Sequence, residues 1–172
     1  MKQILTCIFA ILTSSLLAQN ISLDELLNLR TRNVASVEEY LTAKGWDLLS
    51  TKKEEETSFG LMIFAYKKSN YSDKAESFIK YLYSESANRK RISMQIVKKE
   101  KYTNFLNQIK AKGASLVSSK IEDDYIRKVY KNKSLSFIVT TSTQAEDFSG
   151  TKTTYNIFIV TNDDYIINLS DD

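Results

Sequence analysis

The chain has no histidine and no proline, a single cysteine and four glycines among 172 residues. Without histidine there is no imidazole base for a nucleophile, no His-built zinc site and no His-based pH sensor. The one cysteine, Cys7, lies inside an N-terminal apolar run. Thiol catalysis and thiolate metal sites are therefore excluded from a chain that has lost that run. Gly45, Gly60, Gly113 and Gly150 are too far apart to build a phosphate-cradling loop. A chain of this length would ordinarily carry about eight prolines.

The first residues, MKQILTCIFAILTSSLLAQN, combine a basic start at Lys2, an apolar stretch from Ile4 to Leu12 and small residues ending at Ala18. That is the form of a secretory signal peptide, expected to span residues 1–19 with cleavage near Ala18 or Gln19. Ile4 to Ala18 is interrupted by Thr6, Thr13, Ser14 and Ser15 and falls short of the roughly 18 apolar residues that a spanning helix requires. Cys7 comes too early for a lipid anchor at the cut. The expected product is a periplasmic or secreted protein with no disulfide, held together by its core. Lys2 leaves with the leader, so 24 basic residues become 23 against 21 acidic ones. A formal charge of +2 argues neither for nucleic acid nor for stable membrane insertion.

What is present points to an internal echo. Residues 43–52 read AKGWDLLSTK, with the only tryptophan at position 46, and residues 111–120 read AKGASLVSSK. Six of the ten positions agree, enough to ask whether the flanks agree too. Before Gly113, Tyr102, Phe105, Leu106 and Ile109 recur with helical spacing, and the glycine sits where a left-handed cap is favoured. Before Gly45, Val34, Val37 and Leu41 do the same, and Ser36 with Glu39 reads as a capping box. Another box, Ser22 with Glu25, opens an earlier short helix carrying Leu23, Leu26, Leu27 and Leu29.

Each glycine is followed by four stretches rich in Ile, Val, Tyr, Phe and Thr and bounded by polar turns, the pattern of strands. They are WDLLSTKKEE, GLMIFAYKKS, AESFIKYLYSES and RISMQIVKK after Gly45, then ASLVSSKIE, DYIRKVYKN, LSFIVTTST and TTYNIFIVT after Gly113. The triplet SFI recurs at 77–79 and 136–138, Ile96-Val97 matches Ile159-Val160, and Tyr66 with Tyr130 reads as an equivalent pair in AYK and VYK. Residues 73–86 also carry a helical signal, Asp73 with Glu76 and Phe78 with Leu82. The strand reading is preferred because the matching LSFIVTTST is β in character. Asn162-Asp163-Asp164 is expected to turn a last hairpin into YIINL. The fold class is thus α+β, as two tandem repeats of helix followed by about four antiparallel strands, residues 20–98 and 99–172.

This order of elements over residues 22–169 resembles the beta-lactamase-inhibitor-like architecture of tandem helix-and-sheet repeats. The resemblance implies a preformed sheet surface that grips another protein. The residue style is also similar to small exported proteins of Bacteroidetes-type bacteria.

Candidate binding residues are Trp46, Tyr81, Tyr83, Arg89, Lys90 and Arg91. The arginines and lysine open a positive cluster continued by Lys98, Lys99 and Lys101, suited to an anionic partner or to a solvated face. Tyrosines offer contact area at small entropic cost, or fill half-buried sheet positions. Trp46 faces Ala114 in the echo, so it either covers the extra N-terminal helix or is exposed for a partner. Glu54, Glu55 and Glu56 read as a hairpin loop, because adjacent strand positions alternate faces and their carboxylates do not converge. No spacing marks a catalytic, metal or cofactor site. The expected function is a non-enzymatic, exported protein that binds another protein through a sheet face, as an inhibitor, immunity factor or envelope adaptor. The alternative is a carrier holding a small apolar ligand between helix and sheet.

Overall fold

The computed structural model describes residues 21–72, 74–146 and 150–170, which form four helices and one eight-stranded antiparallel sheet. Residues 1–19, the expected leader, lie outside the described residues. In chain order the elements are α1 (Leu23–Thr31), α2 (Val34–Ala43), β1 (Trp46–Lys52), β2 (Gly60–Tyr66), β3 (Ser77–Ser84) and β4 (Arg89–Ile96). They continue as α3 (Lys99–Ala111), β5 (Ser115–Glu122), β6 (Tyr125–Lys131), β7 (Leu135–Glu146), β8 (Gly150–Thr161) and α4 (Asn162–Asn168).

The capping box at α1 forms as expected. Ser22 Oγ accepts from the Glu25 amide, and the Ser22 amide donates to Glu25 Oε2 at 2.8 Å. Glu25 also accepts from the Tyr40 hydroxyl at 2.6 Å and from Lys44 Nζ, which ties the start of α1 to the C-terminal end of α2. Burial works to raise the Glu25 pKa, but the bonds from Lys44, Tyr40 and Ser22 outweigh it and hold the carboxyl at about 2. α2 begins earlier than the Ser36–Glu39 pattern implies. Asn33 Oδ1 takes the amide of Ser36 at 2.8 Å, so asparagine is the cap and Val34 is already helical. Leu23, Leu26 and Leu29 of α1, Val37 and Leu41 of α2, and Phe105 and Ile109 of α3 are buried in one cluster.

Gly45 and Gly113 each end a helix with φ of +77°, the left-handed geometry that a side chain resists. Their amides donate to Thr42 and Lys110, both at 2.9 Å. The strand that follows each glycine carries a bulge at the same offset, between Leu48 and Ser50 and between Leu116 and Ser118.

Residues 77–84 form β3, so the strand reading of that segment holds over the helical one. The sheet order is β1-β2-β3-β4-β8-β7-β6-β5. Each set of four strands is a meander of hairpins, and the two meanders meet where β4 pairs with β8, from Ile92 opposite Ile159 to Ile96 opposite Tyr155. Helices α1, α2 and α3 pack on one face, over Phe64, Ile79, Tyr81, Met94, Phe137, Val139, Ile157 and Ile159. Among the described residues, the other face is bare except where α4 covers Val129, Ile138 and Val160 with Tyr165.

Several sequence coincidences do not survive the pairing register. Leu48 lies opposite Phe64 and Leu116 opposite Tyr130, so Tyr130 corresponds to Phe64 and not to Tyr66. Phe137 lies opposite Tyr130 and Ile79 opposite Phe64, so the two SFI triplets are out of step by one residue. Such a slip reverses the face: Phe137 is buried beneath the helices, whereas Phe78 points to the bare side. Ile96 likewise faces the helices, whereas Val160 faces α4.

The final hairpin is also replaced. Residues 162–168 are helical, with Thr161 Oγ1 accepting from the Asp164 amide and two aspartates in the first turn. A ninth strand would leave Val129, Ile138 and Val160 open to water, and the helix buries them instead.

Gly45→Ala and Gly113→Ala should each lower the unfolding free energy by about 1 kcal/mol, since an added methyl meets no neighbour and only the backbone geometry resists it. The measurement is the urea midpoint at unchanged m-value. An unshifted midpoint in either variant would contradict this account of the helix ends.

Candidate functional site

Strand alternation sends every second side chain to the bare face. Across the sheet these residues line up in rows. One row runs Ile63, Lys80, Ser93, Phe158, Ile138 and Val129, and the next runs Ala65, Phe78, Gln95, Asn156, Thr140 and Arg127. A third begins Leu61, Leu82, Arg91. Phe78, Leu82 and Phe158 are only half-buried, and together with Lys80, Gln95 and Asn156 they line a depression of about 320 Å³ astride the β4–β8 junction. Here an apolar floor is framed by amides, hydroxyls and one ammonium, a combination suited to holding a side chain from a partner.

One side of this face is walled by α4, locked by a buried ion pair. Arg91 Nε and Nη2 donate to the two oxygens of Asp164, each at 2.7 Å, and Asp164 is 2% exposed. The guanidinium also lies 4.0 Å above the Phe59 ring, and Asn168 Nδ2 donates to Asp164 Oδ1 at 2.9 Å. A bidentate pair so enclosed fixes orientation as well as position.

The residues expected to bind are distributed differently. Trp46 is 2% exposed, in the same core cluster as Leu26 and Leu29, with its ring 5.3 Å from that of Tyr66 directly across the β1–β2 pair. It is a packing residue under the helices, with no surface to offer a partner. Tyr81 is fully buried and donates its hydroxyl to the Arg32 carbonyl at 2.6 Å, and burial pushes its pKa up to about 12. Tyr83 is half-buried on the same side, stacked on Tyr81 at 6.1 Å, and its ring occupies the space over Gly60 where a Cβ would come within 2.3 Å. None of these three aromatics belongs to the bare face.

The positive run is split by alternation. Arg89 and Arg91 point to the bare side, toward Asp164, whereas Lys90 points toward the helices and donates to the Thr31 carbonyl at 3.2 Å. Of the acidic triplet, Glu54 accepts from Ser84 Oγ, the Glu85 amide and Ser86 Oγ, each at 2.7 Å, and clips the β1–β2 loop to the β3–β4 turn. Those bonds, the one from Ser86 foremost, hold its carboxyl at about 2. Among the described residues no three His, Cys, Asp or Glu side chains converge as metal ligands.

Phe78, Lys80, Leu82 and Phe158 are not among the expected binding residues, and the spacing of Phe78 and Leu82 reads only as a helical signal. The signal that groups them is alternation within strands, and it becomes a surface once the strand order is known. Asp164 and Tyr165 had a readable cue, the Thr161-x-x-Asp164 capping pattern followed by Tyr165 and Leu169 one turn apart.

Lys101, from the basic cluster, has its Nζ enclosed without a hydrogen-bond partner among the described residues, 5.5 Å from the centre of the Phe105 ring. Burial pushes its pKa down from 10.5 to about 8, against the attraction of Glu76.

No family model, curated protein or solved structure matches the chain. No helix among the described residues is long and apolar enough to cross a membrane.

Asp164→Ala should cost about 3 kcal/mol, because Arg91 is left enclosed without its counter-charge. A denaturation midpoint equal to that of the parent would remove the pair as the lock on α4. For Lys101, the unfolded chain holds the proton up to 10.5 and the folded chain releases it near 8, so wild-type stability should rise with pH across that window. Lys101→Met should melt at a higher temperature than wild type at pH 7, with the gap closing as the pH approaches 10.5. A gap that is constant with pH would refute the buried ammonium.

Proposed function

We propose that this is an exported, non-enzymatic α+β interaction protein, built as two tandem repeats, that binds another protein through the bare face of its sheet. The single observation that carries the reading is the depression between half-buried Phe78, Leu82 and Phe158 on the part of the eight-stranded sheet that α4 leaves uncovered. Apolar side chains grouped on an open face are the usual mark of an interaction surface. Support for the tandem repeat comes from the matching φ at Gly45 and Gly113, the bulges at the same offset, and four-stranded meanders of the same connectivity on either side of β4–β8. Export rests on the leader-like form of residues 1–19. The absence of histidine from the whole chain favours binding over catalysis.

The roles this reading covers are those of an inhibitor, an immunity factor or an envelope adaptor. The resemblance to beta-lactamase-inhibitor-like architecture points the same way, at the level of the arrangement of elements.

The test is site-specific photo-crosslinking in cells, with a photoreactive amino acid placed at Phe158, at Phe78 and, as a control on the helix side, at Glu38, which is half-buried as they are. Adducts of one defined mass from Phe158 and Phe78, and none from Glu38, are expected. Adducts from Glu38 alone, or from no position, would rule out the sheet face.

A further inference from the structure

Lys80 is out of place for a lysine that merely guards a sheet. Such lysines belong on edge strands, where they prevent pairing with other chains. β3 is an interior strand, and Lys80 stands exposed at its middle, between Ile63 on β2 and Ser93 on β4 and flanked along its own strand by Phe78 and Leu82. No carboxylate neighbours it across the strands, and it has no ion-pair partner among the described residues. Apolar side chains around an ammonium lower the local dielectric, so it attracts an anion more strongly than one on an open polar surface.

The rest of the face has the same sign. Lys120, Arg127 and Lys131 point to it from β5 and β6. Among the described side chains of the strands, the carboxylates on this side are Asp47 and Glu122, both on edge strands and away from the depression. Asp164 of α4 is already neutralised by Arg91.

Resting on the reading of the bare face as the interaction surface, we infer that its partner is an acidic protein segment. That segment places one aromatic or aliphatic side chain in the depression between Phe78 and Phe158 and sets a carboxylate on Lys80. The neutral groups around the depression favour a protein over a polyanion. Gln95 and Asn156 lie opposite each other across β4–β8, and with Ser93 and Thr140 they present donors and acceptors that a backbone can satisfy. A lipid surface or a nucleic acid would instead call for many exposed cations and no such set of amides.

The probe is a random-peptide phage library selected on the folded full chain. Enriched peptides are synthesised and titrated against wild type, Lys80→Glu and Phe158→Asp, with circular dichroism confirming that each variant is folded. Enrichment of Asp or Glu beside a large apolar residue is expected, with affinity lowered about tenfold in Lys80→Glu, falling with salt, and lost in Phe158→Asp. Apolar peptides without acidic residues, lost in Phe158→Asp and unchanged in Lys80→Glu, would overturn the acidic partner and leave the bare-face reading standing. Peptides indifferent to both substitutions would overturn both, as would the absence of any enrichment. Binding to phosphatidylglycerol vesicles that Lys80→Glu abolishes, without peptide selectivity, would also overturn the inference and assign the face to a membrane.

Discussion

The pairing of β4 with β8 is the constraint on which the remaining architecture depends. Each half of the chain makes a four-stranded meander that would end in an open edge, a position prone to uncontrolled pairing. Joining the two last strands from Ile92–Ile159 to Ile96–Tyr155 removes both inner edges and leaves β1 and β5 outermost. The same register sorts the side chains at the junction. Ile92, Met94, Ile96, Ile157 and Ile159 go beneath the helices, while Ser93, Gln95, Asn156 and Phe158 go to the bare side. The depression therefore exists only because the two meanders meet, and it is made of residues from both.

The two faces meet opposite demands. Beneath α1, α2 and α3 the packing is dry, with Phe64, Ile79, Tyr81, Phe137 and Ile157 fully buried, and a large share of the folding free energy must arise there. The bare face keeps only a short helix, fixed by Tyr165 over Val129 and Ile138 and by Arg91 on Asp164. A buried ion pair contributes little net stability compared with well-packed apolar groups, but it admits one geometry, so α4 is held to one side and the neighbouring strands stay open. In that sense the residue pair that consumes part of the positive cluster also delimits the surface left open.

Much of the fold was legible in the chain, because its signals are local. A capping box at Ser22, helical spacing before Gly45 and Gly113, and stretches rich in β-branched and aromatic residues between polar turns each depend on residues within a few positions of one another, and all became the expected elements. Where two local signals competed, as at residues 73–86, composition favouring strand prevailed. The failures share a cause. YIINL is apolar enough for either state, and the tertiary need to cover Val129, Ile138 and Val160 chose helix. The SFI and Ile-Val coincidences matched letters without matching register, and one residue of slip sends a strand side chain to the opposite face.

By itself the sequence determined the element types, the left-handed ends at Gly45 and Gly113, and the exclusion of histidine chemistry, since each follows from residue identity and near neighbours. Only the tertiary structure decided what those elements present to solvent. Trp46 and Tyr81 were conspicuous as binding candidates and proved to be core, whereas Phe78, Lys80 and Phe158 were not among those candidates and proved to line the open face. The reason is that exposure belongs to a strand's place in the sheet, to its register and to what packs over it. Those depend on contacts between residues far apart in the chain, which no local pattern encodes.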